Sequence, residues 1–245
     1  DAGNYNLSST TATTTADITS KSLTITATGV DKVYDGNTSA TVTLSDDRVS
    51  GDTLTIGYGT VAFSNKNVGT GKTVTVSDIT LGGTDAGNYN LSSTTATTTA
   101  DITAKPITVK AEAKTKEYGA ADPDLTYTIT EGSLVGSDTL TGSLSRVAGE
   151  AVGDYAITST LANANYTITF VPANLSITPK PITITAEAKT KEYGAADPDL
   201  TYTITEGSLV GSDTLTGSLS RVAGEAVGDY AITSTLANAN YAITF

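Results

Sequence analysis

Cysteine, histidine, tryptophan and methionine are all absent from these 245 residues. Without cysteine there is no disulfide, no thiol nucleophile and no thiolate metal site. Without histidine there is no imidazole base and no nitrogen ligand. A Ser–Lys pair is the one nucleophile arrangement left, and no motif frames one. The chain therefore reads as non-catalytic, with no catalytic, cofactor-binding or metal residues to assign and no cofactor. Nor is there an apolar run long enough to span a bilayer as a helix, so no membrane contact is expected. Asp1 to Ser9 lacks the basic and apolar stretches of a signal peptide. Basic residues are few: 14 Lys and Arg against 26 Asp and Glu, a net charge of −12. Such a surface repels phosphate backbones, which argues against nucleic acid, and attracts divalent cations.

What is present is repetition. Lys114 to Phe170 recurs as Lys189 to Phe245, 75 residues on, with Thr167 replaced by Ala242. Asp1 to Thr19 recurs unchanged as Asp85 to Thr103. Periods of this size indicate a tandem array of modules. Five landmarks keep one order in three units. A Lys stands 13 residues before a Tyr at Lys21/Tyr34, Lys105/Tyr118 and Lys180/Tyr193. An Asp-Thr-Leu follows at Asp52, Asp138 and Asp213, a Val-Gly at Val68, Val152 and Val227, and an Asn-Tyr at Asn88, Asn165 and Asn240. We divide the chain into residues 1–20, the closing strands of a preceding module; 21–104; 105–179; and 180–245, a module lacking its last strand. On this reading the chain is cut from a longer array at both ends. A module of this size buries only about 60–65% of its unfolded surface, so each core is small.

Threonine is the commonest residue and suits a pleated, half-buried surface. Leu23, Ile25 and Ala27 alternate with Thr24 and Thr26, the period of a strand buried on one face. Ile107, Val109, Ala111 and Ala113 alternate with Thr108, Lys110, Glu112 and Lys114. Leu125, Tyr127 and Ile129, then Tyr166, Ile168 and Phe170, then Leu175 and Ile177, continue the pattern. The Thr/Ala run ending at Ile18, like its twin ending at Ile102, reads as a strand after an Asp-Ala-Gly-Asn turn. About six short strands per module give an all-β (mainly β) fold. One helical turn fits at Gly132 to Gly136. The junction Ile177-Thr-Pro-Lys-Pro-Ile182 is short and Pro-stiffened, which predicts modules in series as a rod.

Several clusters admit a functional reading beside a plain one. Tyr34, Tyr118 and Tyr193 could stack a sugar; the plainer reading packs each ring over a module end with its hydroxyl on a turn. Asp122 and Asp124, their copies Asp197 and Asp199, and Asp85, Asn88 and Asn90 could hold calcium, but they offer too few carboxylates, and turn chemistry accounts for them. A Lys–Asn crosslink would require Lys116, Asn165 and Glu117 together; solvated charge on a strand face is the simpler reading.

The sequence Lys32-Val-Tyr-Asp-Gly-Asn37, with the turn Asp85-Ala-Gly-Asn-Tyr-Asn90, resembles the YDG module. Lys116-Glu-Tyr-Gly119, Leu125-Thr-Tyr-Thr-Ile129, Gly142-Ser-Leu-Ser-Arg146 and Val152-Gly-Asp-Tyr155, with their copies, resemble the YGX type of MBG module. These are repeat families of large bacterial surface adhesins. The resemblance implies tandem β-sandwich or β-grasp-like modules in the extracellular stalk of a two-partner-secreted, biofilm-matrix adhesin. It implies as partners the neighbouring modules, and beyond them matrix polysaccharide or sister stalks. It assigns no catalytic residue.

Overall fold

A computed structural model describes residues 2–245. They form strands and turns, with three-residue 3-10 turns at Ala2–Asn4 and Ala86–Asn88 and no α-helix. The one-turn helix expected at Gly132 to Gly136 does not form; the stretch is irregular and leads into a turn at Val135 to Asp138, closed by the Asp138 amide donating to the Val135 carbonyl. The chain forms two compact units, Asp1–Lys105 and Pro106–Phe245.

In the first unit a four-stranded sheet runs in the order Lys32–Val33, Ala96–Thr103, Gly69–Ser77, Thr60–Phe63. Ala96–Thr103 is its centre. It pairs parallel with Lys32–Val33 and antiparallel with Gly69–Ser77, setting Thr97 beside Thr75 and Thr99 beside Thr73. Alternate residues turn inward: Ala100 and Ile102 on one strand, Val74 and Val76 on the other, are buried. The hairpin Ile25–Val30/Thr41–Asp46 forms a second layer. Ala27, Val42 and Leu44 from the hairpin meet Val76, Ile79, Val61 and Ala96 in one core. The layers come so close at Gly29 that a Cβ there would lie 2.6 Å from the Thr99 carbonyl oxygen. Glycine is required at that position for space.

The second unit holds two modules. In the first, Lys105–Ala111 lies between Tyr127–Glu131 and Tyr166–Val171. Ile107, Val109 and Ala111 are buried as the alternation predicts, but the strand breaks at Glu112 and Ala113, and Ala113 is exposed. The chain then enters another sheet, ordered Lys114–Glu117, Asn174–Thr178, Gly153–Ser159, Leu144–Arg146. Asn174–Thr178 is the module's closing strand, parallel to Lys114–Glu117 and antiparallel to Gly153–Ser159. In the last module Lys180–Ala186 lies between Tyr202–Glu206 and Tyr241–Thr244.

Two near-identical pairs of segments fold differently. Asp85 to Thr103 makes two strands, whereas residues 5–19, the same text, form no strand and are exposed. Ile102 is 1% exposed and Ile18 101%. The expected strand at Ile18 is thus corrected: its twin is held by Lys32–Val33 and Gly69–Ser77, and residues 5–20 have no such neighbours. Likewise Lys114–Glu117 is a strand and Lys189 to Glu192 is not. Asn174–Thr178, which pairs with the former, has no counterpart within these residues.

Replacing Gly29 by Val should destabilise the first unit by about 1–3 kcal/mol, because the new side chain must displace backbone. Urea melts of the variant check this; an unchanged midpoint would contradict the close approach of the two layers.

Candidate functional site

The most elaborate polar arrangement lies where the two modules of the second unit meet. Each module first builds one half of it internally. The Tyr of the Asn-Tyr landmark donates its hydroxyl to the Asp of the Asp-Thr-Leu landmark: Tyr89 to Asp52 at 2.5 Å, Tyr166 to Asp138 at 2.7 Å, Tyr241 to Asp213 at 2.7 Å. The same hydroxyl accepts a backbone amide, from Val49, Val135 and Val210 respectively. Two landmarks about 30 residues apart in sequence are therefore one structural device, which fixes a turn against a strand.

The other half is the Tyr-Gly turn of the preceding module. The closing strand sets it: the Tyr118 amide donates to the Thr178 carbonyl at 2.9 Å, as that of Tyr34 does to Thr103. Ala120 N bonds Glu117 O, and Gly119 at φ +83° gives a type II turn. A Cβ on Gly119 would lie 2.5 Å from Val210 of the next module, so glycine is needed for both conformation and space. Tyr118 then packs on the next module's core beside Ile182, Ile184 and Tyr241. Its ring meets that of Tyr241 edge to face, centroids 5.5 Å apart. Its hydroxyl donates to Asp213 at 2.9 Å, so one carboxylate holds two tyrosines. The bond to Asp213, with partial burial, raises the Tyr118 pKa; burial, with the same carboxylate, raises that of Tyr241. A second bond crosses the joint, from Val152 N to Asn240 Oδ1 at 3.0 Å.

Two residues before Tyr118, Lys116 anchors a cluster of charge. Its side chain is 4% exposed and its ammonium donates to Asp122 at 2.7 Å and Glu150 at 2.6 Å. Arg146 bonds the same two carboxylates. The guanidinium also lies 5.2 Å from the Tyr155 ring and donates to the Val147 and Gly149 carbonyls. Arg146, then Lys116, hold the Asp122 carboxyl down at about 2; Lys116 and Arg146 lower that of Glu150. Lys191, Asp197, Arg221 and Glu225 repeat the cluster in the last module.

Family models match nearly the whole of this arrangement. The YDG domain matches residues 19–98, and the MBG domain (YGX type) matches residues 107–176 and 182–245. The chain belongs to the MBG (YGX type) domain family. A search of curated proteins finds no match. Such domains are consistent with a repeat module of surface proteins.

These domain boundaries place the residues singled out in the sequence. Tyr34 of the YDG domain is buried, Tyr118 of the first MBG domain is half-buried in the joint, and Tyr193 of the second is 79% exposed. The three do not share one exposure, as a row of sugar-stacking faces would require. Tyr118 does bond a turn, but the turn belongs to the following domain. Asp122 and Asp197, weighed as calcium ligands, are occupied by Lys and Arg. Asp85 accepts from the Thr53 amide, and Asn88 closes the 3-10 turn. No group of three or more acidic side chains gathers as a metal site among the described residues. The Lys116–Asn165 crosslink is contradicted: Lys116 is a protonated, ion-paired ammonium directed at Asp122 and Glu150, its pKa raised by both. Nor is it the solvated charge that was the simpler expectation, since its stem is buried behind the strand. The joint's Tyr–Asp pairs and the Lys–Arg cluster escaped the sequence reading. The equal order of landmarks in all three units was the one available signal.

Depressed carboxyls stabilise the fold above their unfolded pKa and lose that contribution as pH falls through the folded value. Stability should therefore hold above about pH 4.5 and drop as pH falls toward about 2, the value Asp122 and Asp197 reach. Urea melts across that window should show a shallower fall for the Asp122→Asn/Asp197→Asn variant. An equal fall would remove the cluster from the account.

Proposed function

We propose that this chain is a structural segment of a stalk on a secreted bacterial adhesin, holding an adhesive part of the molecule away from the cell. The observation that carries this reading is the joint. A spacer must resist bending between modules, and the joint adds side-chain contacts to the short, Pro-bearing linker. Tyr118 fills a pocket of the next MBG domain, with its hydroxyl and the Val152–Asn240 bond fixing rotation. Such a contact joins nearest neighbours and repeats with the module, which is how linear arrays gain length without a common core. Family membership supports a surface role, and the acidic, cysteine-free composition suits an extracellular, repulsive shaft. On this reading the chain is not an enzyme, its partners are its own neighbouring modules, and it lies outside the cell.

The test is the mechanical coupling. Tyr118→Ala removes an aromatic pair and a hydrogen bond and should cost about 2–3 kcal/mol of coupling between the two MBG domains. Small-angle scattering should give an elongated particle for the parent chain and a broader distribution of lengths for the variant. Identical scattering and melting would discard the joint as the stiffening element. Specific retention of matrix polysaccharide by the parent chain would favour a binding module instead.

A further inference from the structure

In the YDG domain and the first MBG domain an early strand and the closing strand lie side by side and point the same way. The first MBG domain opens with Lys105–Ala111, and Glu112 and Ala113 lead on to Lys114–Glu117. The closing strand Asn174–Thr178 pairs parallel with Lys114–Glu117, Lys114 beside Leu175 and Glu117 beside Thr178. The YDG domain pairs early with late in two places: Lys21–Leu23 runs parallel to Tyr89–Leu91, and Lys32–Val33 to Ile102 and Thr103. Parallel strands cannot be joined by a hairpin, so each pair ties residues near the start of a domain to residues near its end.

Both closing pairs end in the same lock. The amide of Tyr34 donates to the Thr103 carbonyl and that of Tyr118 to the Thr178 carbonyl, each at 2.9 Å. The Thr103 hydroxyl donates back to the Lys32 carbonyl at 3.3 Å, and the Thr178 hydroxyl to the Lys116 carbonyl at 3.2 Å. The lysine of each early strand is also tied sideways. Lys116 donates to Asp122 and Glu150, which bonds its strand to the loop before Gly153–Ser159. Lys32 donates to Asp35, Asn37 and Ser39 in the turn that follows it.

A pull on the two ends of such a domain slides the early strand and the closing strand along each other. Every bond across the pair then carries load at once, and all must give together. The antiparallel pair of Leu144–Arg146 with Gly153–Ser159, drawn apart at one end, would part bond by bond. We infer that the closing parallel pair of each of these two domains is a shear clamp, which sets resistance to stretching and suits the domain to bear tension along the chain. That resistance is governed by the barrier to unfolding rather than by equilibrium stability, so a small core is compatible with it. The inference deepens the stalk reading and rests on it only for the source of the load. A compact particle in scattering would discard the stalk and leave the clamp to be measured; loss of the clamp would leave the stalk.

Single-molecule stretching of the full chain, held by its two ends at constant force, tests it. The gain in length, at most about 3.6 Å per released residue, identifies the domain that has opened. Two variants remove the same kind of bond from different places. Thr178→Val deletes the hydroxyl bond to Lys116 across the clamp, and Thr158→Val the hydroxyl bond to Ser145 across the antiparallel pair. Both threonines are exposed and valine keeps their branched shape, so neither change disturbs a core. Thr178→Val should open the first MBG domain about fivefold faster under load, with Thr158→Val at the parent rate. A rate unchanged by Thr178→Val, or raised equally by both, would overturn the clamp.

Discussion

The YDG domain and the first MBG domain each depend on one strand that comes last in the sequence of its module and lies inside a sheet. Ala96–Thr103 in the YDG domain and Asn174–Thr178 in the first MBG domain hold a short parallel strand on one side and a long antiparallel one on the other. The parallel contacts join residues far apart in sequence, Lys32 with Ile102 and Lys114 with Leu175, so they are costly to form and specific once formed. They also bury the apolar residues that make the core: Ala100 and Ile102, Leu175 and Ile177. Without such neighbours the same text forms no strand, as residues 5–19 show.

The closing strand also reaches the joint. It fixes the backbone of Tyr118 through Thr178 and lines up Lys116 beside Ile177. The tyrosine is thereby aimed outward at the next domain while the lysine two residues earlier gathers Asp122 and Glu150 behind it. Core, charge cluster and joint are stacked on one short strand. In the last domain that strand is unpaired, Lys191 is more exposed and Tyr193 is largely bare. Among the described residues no buried side-chain nitrogen or oxygen lacks a partner, so the small cores carry no unsatisfied polar cost to offset.

Much of the fold could be read from residues alone. The alternation of Ile107, Val109 and Ala111, and of Leu175 and Ile177, matches burial because period-2 patterning is local. The family resemblance rested on motifs whose members prove to touch: Arg146 of one lies over Tyr155 of another. What was not legible is nonlocal. Tyr241 and Asp213 are 28 residues apart and meet only through the fold. Lys116 stands in a Thr-Lys-Glu run that looks solvated, and only its neighbours across the sheet bury it. The twins state the limit most clearly. Asp1 to Thr19 and Asp85 to Thr103 must receive the same reading from sequence, yet residues 12–19 form no strand and Ala96–Thr103 lies inside a sheet.

Those twins allow a direct comparison inside one molecule. Amide hydrogen exchange, resolved by NMR, compares Ala16, Asp17 and Ile18 with Ala100, Asp101 and Ile102 in dilute solution, where intrinsic exchange rates are matched by sequence. If partner strands rather than local sequence make the closing strand, the first set exchanges at the unprotected rate and the second is slowed by at least about a hundredfold. Equal protection at the two sites would contradict the account.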